Sequence, residues 1–349
     1  MPTRTIGFVL LALAALSVPT LAVEARKGLD QVRKTDGSTV NGSVVSITPT
    51  RITVEERSGG QKAVSVNEIA MITFDGDPGP LKTARNHGAQ GRYEEALGVL
   101  ENVKPDELKR KEALADYLFL KAYSNAKLAL AGTGPLNEAG SQMFAFCREN
   151  QNSYHFLEAC ETLGDLFVAS RKYENATEWY GRLAQAPWPD YKMRAGLAMG
   201  RALLAQKKSA DAVRAVDSVL TAGGEGEQVD LYKALANLGK IRCQIETAKP
   251  DEVVKQIEAV ILKADADRAE VLAPAYNVLG AALRKAGKDK EALMAFLRVD
   301  VLYATQPDAH AEALANLAEL WNKQQQTERA VRARQTLEER YPNSPWARR

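Results

Sequence analysis

The chain changes its hydrophobic period once. From about Leu29 to Phe74 apolar and polar residues alternate, the period of strands with one covered face. Gln31-Val32-Arg33 leads into an Asp36-Gly37 turn, and Val40, Gly42 and Val44 carry the next strand to Ile47. Thr48-Pro49-Thr50 turns the chain, Ile52 and Val54 follow, Ser58-Gly59-Gly60 turns it again, and Ala63–Val66 and Ile69–Phe74 complete five short strands. Asp75-Gly76-Asp77-Pro78-Gly79-Pro80 carries two prolines and two glycines and reads as a linker over 76–80. Beyond it the period becomes helical. The clearest unit is Tyr276–Gly287 followed by Lys290–Phe296. Tyr276, Leu279 and Leu283 share one helix face, Ala292 and Phe296 share another, and the spacing predicts two helices packed back to back. Gly280 lets the partner helix come close, and Gly287 ends the first helix where φ is positive.

The same phrase recurs. Leucine-glycine, an aromatic three residues on, then an alanine and a second aromatic four beyond it appear as Leu163-Gly164, Phe167, Ala176 and Tyr180. Further copies read Met199-Gly200, Leu203, Ala212, Val216, and Leu279-Gly280, Leu283, Ala292, Phe296. The last is Leu317-Ala318, Trp321, Ala330, and Gly91–Leu97 opens a first one. These residues resemble the tetratricopeptide repeat (TPR) family over about residues 81–349. Successive small residues lie 36, 39, 41 and 38 apart (Gly164, Gly200, Gly239, Gly280, Ala318), against a family period of about 34. The Gly239 copy departs most, with Arg242 where an aromatic is expected, and the Lys109–Asn150 hairpin matches only as an amphipathic pair. The 29–75 segment resembles small SH3-like or Sm-like barrels in pattern alone. The fold class implied is mainly α: a TPR-type α-α superhelix preceded by a small five-stranded SH3-like/Sm-like β-barrel.

Composition adds a destination. Arg4 followed by an apolar run from Ile6 to Leu16 and small residues near Ala22 and Ala25 reads as a signal peptide over 1–25. The run is shorter than the roughly 20 residues a spanning helix needs. Cleavage is therefore expected, with the mature chain exported to the periplasm or cell envelope and membrane contact only through this segment where it stays uncleaved. A formal net charge of +2 excludes nucleic acid as the expected partner.

No phosphate loop, nucleophile elbow, metalloprotease motif or paired cysteines occur in the sequence, and His87, His155 and His310 fall in different repeats. No enzyme activity, cofactor or metal is expected. Cys147 and Cys160 lie on consecutive helices, as a disulfide or as small buried hydrophobes.

In a solenoid of helix pairs the first helix of each pair lines the concave surface. Counted from each copy's small residue, the inward positions hold Glu158, Glu161 and Asp165, then Arg194 and Arg201, Lys233 and Lys240, Asn277 and Arg284, and last Glu312, Glu319 and Asn322. This predicts an acidic entrance, a basic middle and an acidic exit. Arg194, Arg201, Lys233, Lys240, Asn277 and Arg284 are the candidate groove residues for a protein or peptide with an acidic segment, Arg194 and Arg201 acting as bidentate donors. The same charges also suit a plain solvated face. The resemblance implies a non-enzymatic protein-protein interaction scaffold; the alternative is a peptidoglycan-associated protein acting through its SH3-like segment, whose only aromatic is Phe74.

Overall fold

The computed structural model describes residues 29–347; the signal peptide expected over 1–25 lies outside the described residues. The strands are β1 (Asp30–Lys34), β2 (Thr39–Ile47), β3 (Arg51–Glu55), β4 (Gln61–Ser65) and β5 (Ile69–Thr73). Helices follow in pairs: α1 (Gly79–Ala89) and α2 (Tyr93–Leu100), α3 (Lys111–Ala131) and α4 (Leu136–Glu149), α5 (Phe156–Ala169) and α6 (Tyr173–Leu183), α7 (Pro189–Ala205) and α8 (Ser209–Thr221). The later pairs are α9 (Glu227–Gln244) and α10 (Pro250–Lys263), α11 (Ala269–Lys285) and α12 (Asp289–Leu302), and α13 (Pro307–Lys323) and α14 (Thr327–Arg340). The expected linker ends early: α1 begins at Gly79 because Pro80 sits in its first turn, where a missing N–H costs no helical bond.

The strands form one antiparallel sheet in the order β4-β3-β2-β1-β5, with Val32 opposite both Val40 and Ile72, and Ile52 opposite Val64. The outer strands β4 and β5 do not pair, so the sheet is open and the expected closed barrel is corrected. The reason is a second set of apolar side chains. Val32, Val40, Ile52, Val54, Ile72 and Phe74 share one buried cluster with Leu81, Ala84, Leu100, Tyr117 and Leu120 from the first helices. Helices cover the face that a small barrel would have rolled up to bury.

Two arginines, Arg110 and the buried Arg85, fasten this junction by gripping three aspartates. Asp30 accepts from the Val44 and Asp75 amides (2.7 and 2.8 Å), tying the start of the sheet to its end, and from Arg110 Nη1 at 2.7 Å. Arg85 on α1 donates Nη1 to Asp77 Oδ2 at 2.6 Å and Nε to Asp116 on α3. Asp116 also accepts from the Tyr154 hydroxyl at 2.7 Å and faces His155 Nε2 at 2.7 Å, while the His155 ring stacks on Phe119 at 3.8 Å. Burial alone would raise the Asp116 pKa, but Arg85, His155 and Tyr154 outweigh it and hold the carboxyl at about 2. His155 is raised above 6.5: burial opposes its charge, and Asp116 and Glu158 more than compensate. Because the folded chain holds this proton more tightly, the stabilisation is complete below 6.5 and is lost as pH rises through the folded value. Urea denaturation at about pH 6 and about pH 8.5 is expected to show wild type losing more stability over that interval than His155→Asn. Equal losses in the two proteins count against a charged His155.

The helical pairs repeat one turn. Arg92, Lys172, Lys208, Lys288 and Gln326 each donate a backbone N–H to the carbonyl five residues earlier, on His87, Phe167, Leu203, Leu283 and Trp321. The residue before each donor has positive φ: Gly91 (72°), Arg171 (58°), Lys207 (61°), Gly287 (75°) and Gln325 (61°). Three non-glycine residues accept a left-handed conformation that disfavours a side chain, because the turn closes the helix end. These five turns belong to the five copies that match in sequence. Of the two pairs that matched poorly, α3 closes in the same way, Thr133 donating to Leu128 after Gly132 (96°), but with Gly134 and Pro135 still to come before α4, whereas the α9–α10 turn has no positive φ and its Thr247 and Ala248 amides both donate to Gln244.

The stack bends until its end meets its beginning. Asn343 Nδ2 donates to the carbonyls of Ala129 (2.6 Å) and Gly134 (3.5 Å), which flank the α3–α4 turn. Pro342 lies so close to Gly132 that a Cβ there would stand 2.7 Å from the proline ring. From α3 onward the helices therefore make one closed circuit.

Candidate functional site

The first helices of the pairs, α5, α7, α9, α11 and α13, face the inside of this circuit and bring the acidic ends onto the basic middle. Arg194 on α7 grips Glu161 on α5 with two guanidinium nitrogens, Nε at 3.0 Å, and its plane lies 4.9 Å from the Tyr191 ring. Lys240 reaches Asp217 on α8 at 2.8 Å. Arg284 donates to Asn316 (2.5 Å) and Glu319 (3.0 Å) on α13, and its neighbour Lys285 to Glu246 at 2.6 Å. Asn277 is fully buried, its amide donating to the Ala309 carbonyl at 2.8 Å. Of the six candidate groove residues, Asn277 is corrected by its burial, and three others carry ion pairs. Arg194, Lys240 and Arg284 are paired across helices, because one helix's acids sit within side-chain reach of another's bases, and Asn277 is a packing residue.

Arg201 and Lys233 remain. The Arg201 side chain is 72% exposed, with Nη1 4.0 Å from Asp308 at the start of α13. An exposed pair at that distance contributes about 0–1 kcal/mol, so it marks position more than strength. Lys233 is half-buried on α9. Asp165 lies half-buried on α5 and accepts from the Tyr180 hydroxyl at 2.7 Å. Burial and nearby Glu161 raise its pKa to about 6 despite that hydrogen bond.

Arg242 is the residue that the repeat pattern passed over. It fills the aromatic slot of the irregular Gly239 copy and grips Glu312 on α13 with both terminal nitrogens, Nη1 at 3.0 Å. It thereby reaches beyond α11, the helix between them. An arginine in a slot that elsewhere holds Phe167, Leu203, Leu283 or Trp321 was the available signal. Arg85, Asp116 and His155 carried a weaker one: polar residues beside apolar ones on α1, on α3 and at the position just before α5.

Cys147, Cys160 and Cys243 are buried free thiols. The thiol of Cys147 beside it, together with burial, pushes Cys160 well above its usual value. Phe74 is buried, with the guanidinium of Arg110 4.8 Å from its ring, so the sheet offers no aromatic face for stacking a sugar. Among the described residues no three His, Cys, Asp or Glu side chains cluster as metal ligands, and no helix is long and apolar enough to cross a membrane.

Comparison with known proteins shows the fold. A tetratricopeptide repeat protein from Parabacteroides merdae ATCC 43184 superposes with a TM-score of 0.54 at 14% identity, covering 75% of this chain and 91% of its own. A Rap protein complexed with competence and sporulation factor gives 0.53 at 11% identity, covering 76% of each chain. The helical part therefore has a TPR-type repeat fold. No family model matches the sequence. No curated protein matches it either.

Proposed function

We propose that this chain is a non-enzymatic interaction scaffold that receives a protein or peptide segment on the concave face of its repeats. The observation that carries the reading is the convergence of α5, α7, α9, α11 and α13 on one inner wall lined with arginine, lysine and carboxylates. The Rap protein of similar fold, complexed with competence and sporulation factor, supports a binding role for a chain of this fold. The segment received carries carboxylates, met by Arg201 and Lys233, and the scaffold works after export, in the periplasm or cell envelope. A photo-crosslinking amino acid at Lys233 is expected to capture a discrete partner in intact cells. The same probe at Leu302, on the far side of the repeats, is the control. Equal capture at both positions, or none at Lys233, overturns the reading. Mass spectrometry of the purified chain's N-terminus and of the cell fraction that holds it tests export.

A further inference from the structure

Two of the chain's three cysteines lie side by side. Cys147 is on the buried face of α4 with Ala139, Met143 and Phe146, and Cys160 is on α5, which packs against it. Both are 0% exposed in one apolar cluster, and their thiols are hydrogen-bonded to each other. The third, Cys243, lies two pairs away on α9. Four positions before the small residue, where α5 has Cys160, later copies carry Gly196, Leu235, Tyr276 and Leu314. That slot accepts anything from glycine to tyrosine, so the repeat itself does not ask for sulfur there. The two cysteines are thirteen positions apart, and between them runs the α4–α5 corner, whose Tyr154 and His155 hold Asp116. Directly after Cys160, Glu161 grips Arg194 on the inner wall. A bond between the sulfurs fixes the corner from which both the buried network and the groove's first ion pair are hung.

We propose that Cys147 and Cys160 are a modification site, oxidised during folding to a disulfide that staples α4 to α5. The oxidant is a small-molecule or protein disulfide, R–S–S–R, of the kind present where exported chains fold. In that respect the proposal rests on the export reading above. One cysteine attacks R–S–S–R as its thiolate and expels RS⁻, leaving a mixed disulfide. The other, also as thiolate, attacks the first cysteine's sulfur and expels the second RS⁻. The two cysteine protons end on the two expelled sulfurs, and R–S–S–R carries off two electrons as 2 RSH. The step belongs to folding, because in the finished fold neither sulfur meets solvent. Hydrogen bonding to Cys147, together with burial, also pushes the Cys160 thiol up, away from the reactive thiolate. Thirteen positions of separation let the pair meet before longer-range contacts close over it. Cys243 stays a thiol.

The test compares the full chain isolated from its own cells with the full chain directed into an oxidising compartment by a foreign signal peptide. Both are trapped with N-ethylmaleimide in denaturant and digested with trypsin without reductant. One adduct is expected, on Cys243, together with Leu128–Arg148 joined to Glu149–Arg171 at a mass two hydrogens below their sum. Cys243→Ser is expected to keep the joined peptides and lose the adduct. In the oxidised chain, amides of α4 and α5 are expected to exchange about tenfold more slowly than after reduction with dithiothreitol, while those of α11–α14 are unchanged. Three adducts in both samples, or a bond that involves Cys243, overturns the pairing. Three adducts from the chain's own cells beside joined peptides from the oxidising compartment upholds the pairing and overturns the export reading. Joined peptides with equal exchange before and after reduction overturns the staple.

Discussion

Replacing Arg85 by alanine is expected to lower the unfolding free energy by about 3–5 kcal/mol. The guanidinium is 3% exposed and lies between two carboxylates, those of Asp77 and Asp116, each 1% exposed. Removing the cation leaves Asp77 without a counter-charge and Asp116 with only His155 and the Tyr154 hydroxyl, and a buried charge that loses its partner costs far more than the pair contributed while intact. Asp77 has a second duty, accepting the Phe74 amide at 2.7 Å, so the end of β5 loses its anchor as well. Urea denaturation checks the magnitude, and hydrogen exchange checks the place: amides of β1 and β5 should lose protection before those of α11–α14. Arg110→Ala is the internal comparison. Its side chain is 30% exposed, and water can replace it on Asp30. A loss below about 1 kcal/mol for Arg85→Ala would mean that the buried network does not hold the sheet to the helices. The network also sets an acid limit. Asp116 stays ionised well below the usual range, so its contribution is present above 3.8 and lost as pH falls through about 2.

Phe296→Ala is expected to cost a similar amount, about 3–5 kcal/mol, at the other end of the molecule. Its ring is fully buried and packs on Gly280, where a Cβ would stand 2.5 Å from the ring. The two residues form one joint between α11 and α12: the glycine leaves the hollow and the phenylalanine fills it. Truncating the ring opens a cavity that two helices cannot collapse without leaving their neighbours. In a repeat stack each pair answers chiefly to the next, so exchange should quicken in α11–α14 and leave β1–β5 unchanged. Loss of protection spread evenly over the whole chain would show one cooperative unit instead. The Arg85→Ala and Phe296→Ala effects should then add, since the two sites share no contact.

How far the sequence reached follows from which contacts are local. The Gly280–Phe296 joint was legible because sixteen residues of regular period place both on facing helices. The positive-φ turn at Gly287 was legible for the same reason. Strand positions such as Val32, Ile52 and Ile72 could be read from alternation, but closure of the sheet could not. It depended on whether β4 would find β5 or whether Leu81 and Tyr117 would cover the gap, and no local pattern decides that. The pairing of charges within the groove was beyond local pattern in a related way. Counting positions along each helix put Arg194, Lys240 and Arg284 on plausible faces, yet each is neutralised by a carboxylate from another helix. Asn277 lost its place to curvature: the stack bends tightly enough to bring α13 over it. Arg242 reaching Glu312 is the sign of that bend, and a repeat period says nothing of how sharply successive units turn.

The contact between Asn343 and Ala129 spans 214 positions of the chain, whereas each hairpin is joined to its neighbour within a few tens. Loop-closure entropy delays such distant pairings until shorter-range ones have formed. The ring is therefore expected to pass through an open crescent with its inner wall bare, closed last by the Asn343 contact.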